Sequence, residues 1–153
     1  MEFTIERRFN APRHAVYGAF TDLERLPERL DAIDTIEPAP GHDDLTFADG
    51  LAFRETRTIM GKRATETMVV RDVVPDERFT LTSESHGCAY RFDHAFTDEG
   101  DATLLTMHGV CRATSLLSRV MMVVFFPMRG MMPKLINKDL DAMEAWLAGH
   151  TAP

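Results

Sequence analysis

The sequence is short of most features that announce a specialised chemistry. Its two cysteines, Cys88 and Cys111, are too few for a disulfide scaffold and lack the paired spacing of a metal knuckle, so reduced thiols serving as small buried fillers are expected. Long hydrophobic runs are missing: Val120 to Met128 is nine residues, against the roughly 20 that a membrane-spanning helix requires. The chain is charged from Glu2 onward, so neither a span nor a signal peptide is expected, and a cytoplasmic location follows. Cations are in the minority. Lys and Arg number 17 against 24 Asp and Glu, a net charge of −7, and the basic residues are scattered rather than clustered. Nucleic acid is therefore not an expected partner. Histidines at helical ligand spacing, a Cys-x-x-Cys pair, a serine nucleophile signature, a phosphate loop and a dinucleotide fingerprint are all lacking, and no metal or cofactor is expected.

What is present is enough apolar material for one core. At 153 residues and 44% apolar composition, a single domain over 1–149 with a short tail at 150–153 is expected. The most informative stretch is Thr114 to Leu147. Its apolar residues recur at Leu117, Met121, Val124, Met128, Met131 and Leu135, then Ile136, Leu140, Met143 and Leu147, the three- and four-residue steps of a helix. Thr114 or Ser115 can cap its start, and Gly149 stands beyond its end. Pro127 and Pro133 each remove a backbone donor, which predicts a kink or break between Phe126 and Lys134. The first half is apolar on every side, whereas the second carries a polar face of Lys134, Lys138, Asp141 and Glu144. A segment apolar all round requires a deep core position, a cavity wall or a second chain, and a homodimer stays open on this count.

Upstream, the pattern changes to short strands. Glu2 to Phe9 alternates, with Phe3, Ile5, Arg7 and Phe9 on the inward parity. Asn10-Ala11-Pro12 then starts a short helix carrying Val16, Tyr17 and Phe20. Asp22 is placed to cap a second one with Leu23, Leu26 and Leu30. After a strand over Ala32 to Glu37, turn chemistry recurs at Asp49-Gly50, Met60-Gly61-Lys62, Pro75-Asp76-Glu77, Ser85-His86-Gly87 and Asp98-Glu99-Gly100-Asp101. The intervening segments, rich in Thr, Val, Phe and Leu, read as an antiparallel meander. Strands segregated from a closing helix make an α+β domain. A long twisted sheet curling around that helix leaves space that two small helices can plug at one end only.

Several local signatures, in this order, resemble one family. They are Asn10-Ala11-Pro12-Arg13-His14-Ala15-Val16-Tyr17 with Phe20-Thr21-Asp22, Met60-Gly61-Lys62, Val73-Val74-Pro75-Asp76-Glu77-Arg78-Phe79, Tyr90 to Phe96, and Ser115-Leu116-Leu117 opening a Met-rich helix that ends near Trp146. Together they resemble the START-like, birch-pollen-allergen-like superfamily (SRPBCC), and within it the polyketide cyclase/dehydrase and lipid-transport group. The resemblance implies a helix-grip fold: a curved antiparallel sheet of about seven strands around a long C-terminal helix, with two short helices after the first strand. It also implies a cavity for a hydrophobic small molecule such as a lipid, isoprenoid or aromatic polyketide. It supplies no substrate and no catalytic residue by position.

Candidate site residues follow from strand parity. In Cys88 to Thr97, Tyr90, Phe92, His94 and Phe96 share the parity expected to face inward. His94 can orient a ligand oxygen or act as acid or base, or it can be a satisfied structural histidine. Glu55 and Arg57 share a face with Phe53 and Ile59, and either pair inside the cavity or lie outside as ordinary charged neighbours. His108 is read as inward with Thr106, although both parities of its strand are largely apolar. Met121, Phe125, Met128 and Met132 complete an apolar wall, where thioethers can repack around differently shaped contents. The leading expectation is a carrier or sensor of an apolar molecule. The alternatives are a cofactor-independent cyclase or isomerase using His94, Tyr90 or Glu55, and a protein-interaction module.

Overall fold

The computed structural model describes residues 1–124 and 130–150. In chain order the elements are β1 (Glu2–Phe9), α1 (Arg13–Thr21), α2 (Leu26–Arg29), β2 (Ile33–Pro38), β3 (Ala52–Ile59), β4 (Lys62–Val74), β5 (Arg78–Ser85), β6 (Cys88–Glu99), β7 (Ala102–Ala113), α3 (Leu116–Val124) and α4 (Met131–His150). The strands form one seven-stranded sheet in the order β1, β7, β6, β5, β4, β3, β2, antiparallel throughout. The two short helices carry the chain from one edge of the sheet to the other. This is the α+β, helix-grip arrangement.

A flat sheet could not make the contacts observed. Five inter-strand steps separate β1 from β3, a span of about 24 Å at the usual spacing if the sheet were planar. Yet Arg7 of β1 reaches Asp141 and Arg57 of β3 reaches Asp139, two residues apart on α4. The sheet must therefore curl until both sides approach one turn of one helix. A register shift between Arg71 and Val74, with Asp72 at φ 53°, puts a bulge into β4, the longest strand, and bulges bend and twist a strand in this way.

The core lies between the inner face of this sheet and the helices. Leu140, Met143 and Leu147 are the buried stripe of α4, and Val16, Tyr17 and Ala19 that of α1. Opposite them sit Phe9, Phe53, Val70, Phe79, Phe96 and Leu105. Arg29, 8% exposed, ties the helices together: Nη1 donates to the Ala19 carbonyl at 2.7 Å, Nη2 to Asp22 at 3.0 Å, and its guanidinium covers the Trp146 ring at 4.3 Å. Asp22 thus serves Arg29 rather than capping α2, which starts four residues later behind Arg25.

The second segment of the closing helix starts at Met131, inside the interval where a kink or break is expected, so Pro133 falls in its first turn, where a missing donor costs nothing. Pro127 lies outside the described residues. More consequentially, the apolar first segment is not enclosed: Leu116, Leu117, Val120, Met121, Val123 and Val124 of α3 are all exposed, and Ser118 is its buried residue. A serine pair explains the seating. Ser118 N donates to Ser115 Oγ at 3.1 Å and Ser115 N to Ser118 Oγ at 3.0 Å, a reciprocal cap with serine in the place usually held by glutamate. Gly87 (φ 76°) packs under this turn, and a Cβ there would stand 3.1 Å from Ser118 Cβ.

Candidate functional site

Strand register decides which side chains face α4. The pairs Phe79 with His94, Leu81 with Phe92, and Ser83 with Tyr90 continue across to Met107, Gly109 and Cys111 of β7. Tyr90, Phe92, His94 and Phe96 therefore share the inner face. Along β1 and β6 burial falls from one end to the other: Phe9, Phe96 and His94 are closed over, whereas Phe3, Phe92 and Tyr90 are only half-buried, although Phe53 and Val70 on the far side of the same face stay buried level with them. The site candidates span this gradient and do not form one cluster.

His94 belongs to the closed end. It is 6% exposed, stacks on Phe79 with ring centroids 4.4 Å apart, and places Nδ1 3.2 Å from the Phe92 carbonyl. Burial lowers its pKa to about 4, so it is a neutral ring at physiological pH. Phe96 contacts the rings of Tyr17 at 5.3 Å and Phe20 at 5.8 Å, which makes it part of the plug formed by α1. Tyr90 and Phe92 lie towards the open end, stacked on each other at 6.3 Å. Burial pushes the Tyr90 hydroxyl above its ordinary value, helped by the neighbouring Cys111 and Cys88 thiols, so it remains a neutral phenol.

Glu55 and Arg57 face inward. Arg57 Nε donates to Glu55, and Nη1 donates to Asp139 of α4 at 2.6 Å. Burial opposes the guanidinium charge, but the two carboxylates outweigh it and hold the Arg57 pKa above its ordinary value. Arg7 makes a parallel connection from β1, donating to Asp141 at 2.7 Å and Glu144 at 2.9 Å. Asp139 carried no sequence signal as a partner, being 82 residues from Arg57. Ser83 was also missed. It is 6% exposed, on the inner face beside Tyr90, and its Oγ is buried without a hydrogen-bond partner. Its parity with Phe79 and Leu81 was the available clue.

His108 corrects the expectation. It lies on the outer face with Thr106, its Nδ1 3.1 Å from Thr4 Oγ1 and its Nε2 3.0 Å from Glu2. The reason is Gly109, whose missing Cβ makes room for the Phe3 ring; a Cβ there would stand 2.3 Å from Phe3 Cζ. That contact commits Leu105, Met107, Gly109 and Cys111 to the inner face. His108 instead lines an open outer groove with Asp72, Arg78, Asp93 and Thr106. Of the four helical candidates, Met121 is 42% exposed on α3, Met132 is half-buried in the first turn of α4, and Phe125 and Met128 lie outside the described residues.

The sequence matches, over residues 1–148, the family described as polyketide cyclase / dehydrase and lipid transport. The chain belongs to this family. Among curated proteins, no sequence matches. Solved structures with the same fold include TTHA0849 from Thermus thermophilus, 19% identical, covering 99% of this chain and 100% of that one with a TM-score of 0.75. A START superfamily protein from Mycobacterium smegmatis is 14% identical, covering 98% and 96% respectively, with a TM-score of 0.68. Norcoclaurine synthase from Thalictrum flavum, in complex with dopamine and hydroxybenzaldehyde, is 12% identical, covering 100% and 89%, with a TM-score of 0.73. At such identities the likeness is one of fold. In this family member no described helix is long and apolar enough to cross a membrane.

Proposed function

We propose that this family member binds an apolar small molecule at the open end of the inner face, between the sheet and the closing helix, and acts as a carrier or sensor rather than as a catalyst. The observation that carries the reading is the Ser83 hydroxyl, buried with no partner on a wall otherwise made of Tyr90, Phe92, Leu81 and Met68. An unpaired buried hydroxyl costs about 1–3 kcal/mol. A guest with one oxygen or nitrogen near Ser83 and an apolar body along the aromatic wall would remove that cost. A lipid, isoprenoid or aromatic polyketide-like molecule has this form, and the norcoclaurine synthase structure shows aromatic guests held by the same fold.

The alternative, a cyclase or isomerase, receives less support from the same residues. His94 is too acidic for acid-base work near neutral pH and is committed to Phe79 and the Phe92 carbonyl. Glu55 is already engaged in an ion pair with Arg57. Titration with fluorescent fatty acids and aromatic polyols is expected to give saturable binding, weakened about tenfold or more by Phe92→Ala. Binding that does not saturate, or that Phe92→Ala leaves unchanged, removes the reading.

A further inference from the structure

We propose that α3 and the β3–β4 turn form a docking surface for an anionic lipid bilayer, placed at the rim of the open end. Among the described residues, all but two of the exposed large apolar side chains are on α3: Leu116, Leu117, Val120, Met121, Val123 and Val124, between 42% and 78% exposed; the others are Met1, 39% exposed, and Met60, 82% exposed, which tops the β3–β4 turn. Globular proteins rarely leave a contiguous patch of this kind without a partner for it.

Topology puts the two elements at the same end of the sheet. Ile59 pairs with Lys62 at the β3–β4 turn, Ser85 with Cys88 at the next turn, and Cys88 with Ala113, after which α3 begins. This is also the end where Tyr90 and Phe92 are half-buried. Moreover α3 is held by its polar side: Ser115 and Ser118 seat it on the Gly87 turn, and the Thr114 amide donates to the Gly87 carbonyl at 2.7 Å. Its apolar residues are thus turned away from the sheet by the way the helix is anchored.

Charge selects the occupant. The protein carries −7 overall, yet no aspartate or glutamate occurs between Asp101 and Asp139. Within that interval Arg119 stands exposed on α3, while Arg112 lies on the outer face of β7 in a groove shared with Glu84; Lys62 flanks Met60 on the other element. An apolar face flanked by Arg119 on α3, with Lys62 beside the exposed Met60, suits the interface of a bilayer carrying anionic head groups.

The test is co-sedimentation of the intact protein with phosphatidylcholine vesicles, with and without phosphatidylglycerol. Wild type is expected to pellet with the anionic vesicles and to be released by salt. The double substitution Leu117→Glu with Val124→Glu is expected to reduce the bound fraction about tenfold or more, and Arg119→Glu about fivefold. Met60→Glu, on a separate element, is expected to weaken binding as well, so that failure of one variant to fold leaves the proposal open to refutation. All these side chains are exposed, and titration with a soluble fluorescent fatty acid should be unchanged, which separates docking from occupancy of the inner face. The proposal is overturned if wild type ignores anionic vesicles, if the variants bind as wild type does, or if light scattering shows a concentration-dependent dimer that does not pellet.

Discussion

The two ends of the inner face are made by the same strands, in the same register, with the same kinds of side chain. At one end Phe96 and His94 are sealed by Tyr17, Phe20 and Phe79; at the other Phe92 and Tyr90 stack on each other and stay half-open. Strand parity selects the face a residue occupies, but the element above that face decides whether it becomes core or stays half-open. Here α1 closes one end, and α3, standing on its serines, leaves the other uncovered.

The sharpest way to break this comparison is to truncate an aromatic at each end. Phe96→Ala is expected to destabilise by about 3–5 kcal/mol in urea unfolding, whereas Phe92→Ala should cost markedly less and act on ligand affinity instead. Equal losses would mean that both ends are core. Next in size is the tie between sheet and helix. Arg57→Met leaves two partly buried carboxylates without their cation, an expected loss of about 3 kcal/mol. Adding Glu55→Gln should recover part of it in a double-mutant cycle.

The closed end also predicts an acid sensitivity. His94 is depressed to about 4 when folded, below the roughly 6.5 of an unfolded histidine, because burial disfavours its charge. Its neutral form therefore contributes stability in full above about pH 6.5, and that contribution declines as pH falls from there towards about 4. The loss amounts to about 3 kcal/mol. His94→Leu should flatten this part of the stability profile; an unchanged slope between about pH 6.5 and 4.5 would locate the acid lability elsewhere. The smallest effect is expected at Ser83. Ser83→Ala removes an unpaired hydroxyl and should raise the stability of the empty protein by up to about 1 kcal/mol while weakening any guest that uses that oxygen. A loss of stability would show that Ser83 has a partner after all.

The fold was largely legible in the sequence, since strand punctuation and the helical stripe of the last third are local signals. The face occupied by β6 was legible for the same reason: three aromatics and a histidine alternate with Arg91, Asp93 and Ala95. In β7 both parities are apolar, and only Gly109, a glycine in mid-strand, marked where another side chain comes close. The inward Glu55 and Arg57 could not be told from an outward pair because their third partner, Asp139, is supplied by a distant helix. Nor could hydrophobicity foretell the exposure of α3. An all-apolar segment says that it seeks an apolar neighbour without saying whether the chain itself provides one.

The pair of arginine links from the two sides of the sheet to a single turn of α4 has a mechanical corollary. Were a bulky guest to push the strands apart, it would have to stretch Arg7 from Asp141 or Arg57 from Asp139, since the helix cannot follow both sides at once. Under the proposed carrier role, the largest cargo would then be governed by two hinged clasps, and loosening either one should widen the range of shapes accepted before it alters how strongly the preferred one is held.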